Sequence, residues 1–310
     1  RTQPVAGGYE VIEVLPQSPA DHEGSRLHVG DVIKAVNDNR VSESAEEMPN
    51  MDLSKAMSGT RSRETLIELN RDGEDMMMLI TPVSWSAWNG LAYKDELRRN
   101  RELVDELSDD KLGYLHIRSM NMASVHDFEH QLYAAAHGKD GLVIDVRNNG
   151  GGWTTDVLLA SLTAPVHAST IPRGVAWEDA PSDAYPRDRR LIYAWSKPIV
   201  VLANEHSFSN AEIFTHAIKN TDRGRVVGEE TYGGVISTGS FTLIDGSRVR
   251  RPFRGWRLPD GTDMEDRGAV PDIRVERTPA DEASGRDRQL EVAVDDLLTR
   301  MNDAGSGDSN

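Results

Sequence analysis

The sequence predicts a mixed α/β chain of two domains, a β-rich module followed by a larger domain in which strands and helices alternate. Three observations carry that expectation. Short β-branched runs broken by turn residues fill the first 84 residues, a charged helix-favouring stretch covers 85–111, and apolar runs alternate with helical periodicity from 112 onward. With 310 residues and 38% hydrophobic content, the chain is long enough for two cores.

The first domain is placed at 5–84. "GGYEVIEVL" is β-rich, and the following residues supply a turn, a short helix and a strand that ends at Asn37, Asp38 and Asn39. "MDLSKAMSG" fits a helix of about two turns closed by Gly59. "ETLIELNRDGEDMMMLITPV" reads as a hairpin turning at Asp72-Gly73. Short strands around small helices make a compact binding module. Residues 85–111 form a connecting helix with Leu97, Val104 and Leu107 on a broken apolar face.

The second domain is placed at 112–302. "LGYLHI", "GLVIDV", "PIVVLAN" and "RVVGE" are its strands, and helices are expected over 124–138, after the glycines at 150–152, and over 209–220. "GSFTLIDGSRVRRPF" is a second hairpin, turning at Asp245-Gly246. Leu290, Val294, Leu297 and Met301 share one helical stripe, and 303–310 has the composition of a disordered tail. The polar stretch 168–190 is a long loop of the kind that is functional or mobile.

The net charge of −16 disfavours nucleic acid and anionic lipid as partners. No cysteine is present, which removes disulfides, thiolate metal sites and a thiol nucleophile, and leaves cytoplasmic and periplasmic locations both open. No run is apolar enough to span a membrane, and no cofactor motif stands out. The chain opens only a few residues ahead of a strand pattern, so it is expected to be a segment of something longer.

Two stretches point to chemistry. In "NEHSFSNAEIF", Ser209 and Glu212 form a capping box, yet a serine at a strand-to-helix turn also stands where a nucleophile belongs. In "VIDVRNNGGGWTTD", the glycines let the backbone approach a ligand; Trp153 replaces the lysine of a phosphate loop, so Gly151 and Gly152 suit an oxyanion hole better than a nucleotide. A nucleophilic serine needs a base. No lysine follows Lys219 and no histidine follows His216, while His206, three residues before Ser209, lies on the incoming strand end, which ordinarily points away.

The ordered set "GYEVIEVLPQSPA", "GYLHI", "IDVRNNGGG", "NEHSFSNAEIF" and "VVGEETYGG" resembles the carboxyl-terminal processing peptidases, and more closely their tricorn protease branch. The resemblance implies a PDZ-like domain followed by a ββα-spiral, crotonase-like serine peptidase domain. It implies Ser209 as nucleophile, the N–H groups of Gly152 and Asn210 as the oxyanion hole, and Glu265 as support for a serine and a histidine base. Those two residues would come from a segment upstream of the PDZ domain. Lysine-using members carry their base at the position of Gly234, so a lysine dyad is excluded by that likeness. The branch's aspartate after the nucleophile is Asn210 here, and the acid behind its basic preference has no counterpart in "HASTIPRG", Glu178 and Asp179 being the nearest acids. Implied partners are a peptide or unfolded polypeptide substrate, the upstream segment, and further copies in a homo-oligomer. The alternative is a catalytically inactive scaffold that binds peptides through the PDZ-like domain.

Overall fold

The computed structural model describes residues 1–41, 51–165, 168, 170–171, 173–179 and 194–307. The chain divides into two compact units between Arg99 and Asn100. Most of the long polar loop and the end of the expected tail, 308–310, lie outside the described residues.

In the first unit, β1 (Thr2–Val5), β2 (Gly8–Val11), β3 (Val32–Val36) and β4 (Asn39–Arg40) precede a short helix α1 (Leu53–Ala56). β5 (Thr65–Arg71) and β6 (Glu74–Ile80) follow, and the helix α2 (Trp85–Ser108) runs across the division. The sheet is antiparallel in the order β1-β2-β3-β5-β6, with β4 also on β3. Tyr9, Val11, Ile33, Val36, Ile67 and Leu69 fill its core. Asp72 and Gly73 both take positive φ, 53° and 91°, which is the two-residue turn that matches strand twist. α1 is one turn long rather than two. Asp52 caps its N–H groups at Ser54 and Lys55, and Ser58 N–H already bonds back to Lys55, three residues away, which tightens and ends the helix before Gly59.

In the second unit, β7 (Leu112–His116), α3 (Met122–Ala136), β8 (Gly141–Asp145), α4 (Thr155–Leu162), β9 (Ile199–Ala203), α5 (Asn210–Asn220) and β10 (Arg225–Gly228) alternate. β11 (Ser237–Thr242) and β12 (Arg248–Arg254) form a separate hairpin, and β13 (Ile273–Arg274), α6 (Pro279–Ser284) and α7 (Arg288–Gly307) complete the unit. β7, β8, β9, β10 and β13 lie side by side in chain order, all parallel. Every residue of β8 and β9 is buried, as their uninterrupted apolar runs require. Leu115, Phe128, Ile144, Leu158, Val201 and Phe214 centre the core. α7 continues to Gly307, through residues that composition assigns to the tail; extending a helix already nucleated and buried through Leu290, Val294 and Leu297 costs little per residue. No described helix is long and apolar enough to cross a membrane.

The parallel sheet positions the candidate site by ending β8 and β9 side by side, where the two chemical stretches begin.

Candidate active site

At the end of β9 the two serines have different fates. Ser207 is completely buried; its hydroxyl donates to the carbonyl oxygen of Val146 at 2.9 Å and accepts the Asn204 N–H at 3.1 Å. It ties the end of β9 to the end of β8. Ser209 is half-buried and holds φ 57°, ψ −115°, a conformation rarely adopted by a residue with a side chain. The Ser209–Glu212 pair has the capping-box arrangement, and its carboxylate half is firm: Ser209 N–H donates to Glu212 Oε1 at 2.8 Å. The hydroxyl makes no well-formed cap bond, because an N-cap that engages the helix needs extended dihedrals.

Glu212 does more than cap. It is fully buried, and besides Ser209 it accepts from Thr231 Oγ1 at 2.7 Å, from Gly234 N–H at 2.9 Å and from Gly233 N–H. Thr231 Oγ1 in turn accepts the Ala269 N–H at 2.7 Å. One carboxylate therefore locks the Ser209 turn to the "TYGG" loop and, through Thr231, to Ala269. A capping box is visible in sequence; a buried acid serving a distant loop has no local signature.

The glycine loop is fixed by Asn149, also fully buried. Its side chain donates to Ile117 O at 2.7 Å and accepts Gly151 N–H at 2.9 Å, while its carbonyl accepts Phe208 N–H at 2.9 Å. Gly151, at φ 85°, packs so closely that a Cβ there would stand 2.7 Å from Ser209 Cβ. With its N–H already given to Asn149, Gly151 contributes its missing side chain, not a free donor. Gly152, at φ 148°, is exposed, and a Cβ on it would fall 1.9 Å from the Met120 carbonyl oxygen. The N–H groups of Gly152 and of Asn210, first in α5, carry no hydrogen bond among the described residues. Asn210 also accepts Thr155 N–H on Oδ1 at 3.0 Å and Thr155 Oγ1 on its carbonyl at 2.8 Å, so its side chain joins the starts of α4 and α5.

Beneath the loop, Arg147 pairs with Asp145 at 2.7 Å and with Asp287 at 2.8 Å, and donates to Gln289 Oε1 at 3.1 Å. Burial alone would raise the Asp145 carboxyl, but the charge and hydrogen bonds of Arg147 outweigh it and hold the group below the ordinary range. Tyr114 adds a hydrogen bond to Asp145 at 2.9 Å.

Glu265 Oε2 accepts the N–H groups of Val235 and Ile236 at 2.8 and 2.9 Å; its Oε1 takes no hydrogen bond among the described residues. No described histidine or lysine hydrogen-bonds Ser209. His206 is exposed, its Nε2 3.5 Å from Glu205 Oε1. His216 lies two turns along α5, where burial holds it below the ordinary histidine range; its Nε2 has no partner among the described residues. At Gly234 a Cβ would come within 2.7 Å of the Phe208 ring and 3.0 Å of the Tyr232 ring, which meet edge to face at 4.9 Å. The ring pair fills the space that a side chain at 234 would need. Among the described residues no group of three or more His, Asp or Glu is placed to hold a metal ion.

The family model described as "Peptidase family S41" matches residues 111–275, more than half of the chain, and the PDZ domain model matches residues 2–69. The chain belongs to peptidase family S41. Tricorn protease homolog 1 of Streptomyces coelicolor is 30% identical to this S41 chain over 298 residues, covering 93% of it and 26% of that protein. Tricorn protease of Thermoplasma acidophilum is 29% identical over 246 residues, 79% of this chain and 22% of that protein. The crystal structure of the tricorn protease superposes with a TM-score of 0.74 at 23% identity, covering 97% of this chain and 29% of that one, and shows the shared fold. The chain spans about a quarter of the length of these relatives.

Proposed function

We propose that this chain carries the nucleophile half of a serine peptidase that cleaves peptides or unfolded polypeptides by acyl transfer. The observation that carries the reading is the strained Ser209 turn with Gly151 packed against it and, among the described residues, the unbonded N–H groups of Gly152 and Asn210 beside it. Ser209 Oγ attacks the scissile carbonyl carbon, and the developing oxyanion takes hydrogen bonds from Gly152 and Asn210. The Ser209 proton passes to a base and then to the leaving amine, and water completes hydrolysis of the acyl-enzyme.

The base in this reading is a histidine, paired with a serine, from a segment upstream in the same polypeptide. Two observations support an outside base: no described histidine or lysine bonds Ser209, and the Phe208–Tyr232 ring pair occupies the side-chain space at 234. Glu265 Oε1 is assigned to orient the incoming serine and histidine, while Oε2 holds the loop. A homo-oligomer is the assembly proposed, by likeness to the tricorn branch.

A fluorophosphonate probe tests the reading. In the complete parent polypeptide it should label one serine and lose the label in Ser209→Ala, whereas His206→Ala should label as the parent does. The 310-residue chain alone should label slowly and show at most residual turnover. A complete polypeptide that never labels would favour a peptide-binding scaffold.

A further inference from the structure

The hairpin of β11 and β12 stands apart from the parallel sheet, and among the described residues neither strand has another strand beside it. Phe241 lies opposite Val249, and Phe253 is two positions further along the Val249 and Arg251 face, its ring against Gly239. Phe253 is 62% exposed and Ile244, at the tip, is fully exposed. A two-stranded ribbon is marginal by itself, and an uncovered apolar face on one marks a contact surface.

The two edges differ in a way that indicates which is used. β12, "RVRRPFR", carries four arginines and Pro252, the devices that guard an edge against added strands. β11, "STGSFT", has no charge and no proline. Its edge is unguarded.

The hairpin is also continuous with the candidate site. β11 starts directly after Val235 and Ile236, whose N–H groups Glu265 holds, and Trp256 Nε1 returns to Ser237 Oγ at 2.9 Å. Asp266 N–H closes the same loop on Gly233 O at 2.9 Å. On a chain of net charge −16, four arginines against a single Asp245 make this ribbon a local basic island.

We infer that β11 is a docking strand for the substrate polypeptide, which joins its open edge as an extended third strand. Backbone hydrogen bonds supply the attachment, the Phe241 face takes apolar side chains, and the arginines favour acidic ones. The inference rests on the peptidase reading of Ser209 and names the substrate class: long, extended, apolar and acidic segments.

The test uses the complete parent polypeptide with the edge guarded by the double substitution Ser240→Lys and Thr242→Lys, and separately with Phe241→Ser. Two substrates are compared, an unfolded acidic casein and a fluorogenic tetrapeptide too short to reach both sites. Each variant should lower kcat/KM for casein by about tenfold, with tetrapeptide turnover and fluorophosphonate labelling unchanged. Equal loss on both substrates, or no loss on casein, overturns the inference. A fall in oligomer mass by sedimentation would show that the edge seats a second copy, and overturns it too. Binding of casein to Ser209→Ala protein needs no turnover, so weaker binding on guarding the edge supports docking even where labelling refutes the peptidase.

Discussion

The turn at Ser209 and the hairpin of β11 and β12 are about 30 residues apart in sequence and opposite in construction. Around the turn most polar groups are assigned: Glu212 serves Ser209 and the "TYGG" loop, Asn149 serves three backbone groups, and Ser207 staples β9 to β8. At the hairpin, among the described residues, the outer edge of β11 has no partner strand and the apolar face is exposed at Phe241 and Phe253. The difference teaches where each property is built. Strain at Ser209 persists because its surroundings over-determine it, whereas the ribbon stays adaptable because nothing in the described chain completes it.

Substitutions can break that contrast, beginning with the largest expected effect. Gly152→Ala places a Cβ against the Met120 carbonyl oxygen at a φ unsuited to it, and should cost more than about 4 kcal/mol by chemical denaturation, with labelling lost. A well-folded Gly152→Ala protein would mean that the loop is not over-determined. Glu212→Ala leaves the Thr231 hydroxyl and three N–H groups without their acceptor; a loss of about 3 kcal/mol is expected, together with slower labelling of Ser209. Ser209→Gly relieves positive φ and should be more stable than Ser209→Ala by about 1 kcal/mol in the same measurement. At the hairpin, Ile244→Ser should change stability by less than about 0.5 kcal/mol.

A fifth comparison sharpens the point through pH. In the first unit, burial would raise the Asp31 carboxyl, but Arg71, bound through two 2.7 Å hydrogen bonds, leaves it below the ordinary value. A carboxyl depressed in the folded state stabilises above its unfolded pKa, and that contribution is lost as pH falls through the folded value. Asp31→Asn should therefore flatten the acid side of the stability profile; an unchanged acid limb would remove Asp31 from the account.

Much of this was legible in sequence, for identifiable reasons. β8 and β9 announce themselves as unbroken apolar runs, the Asp72-Gly73 turn by its residue types, and Ser209 by its place between an apolar strand and a helix. Asn149, Glu212 in its wider role, and the union of Arg147 with Asp287 and Gln289 were not legible. Each joins residues far apart in sequence, and no local periodicity encodes such a pairing. Gly151 shows the limit within a motif: three glycines in a row mark close approach, but which N–H remains free depends on the Asn149 side chain. α1 is shorter than its sequence implies because Gly59 allows a helix to end there without requiring it to reach that far.

The link between Arg147 and the beginning of α7 sets an order of events during synthesis. The glycine loop and the Ser209 turn leave the ribosome well before Asp287 and Gln289, and until those arrive the Arg147 guanidinium lacks part of its buried lining. The floor beneath the glycine loop is thus completed only when residues 140 positions further along the chain have been made. A transcript cut short before α7 would yield a protein with Ser209 in sequence but no finished platform beneath it.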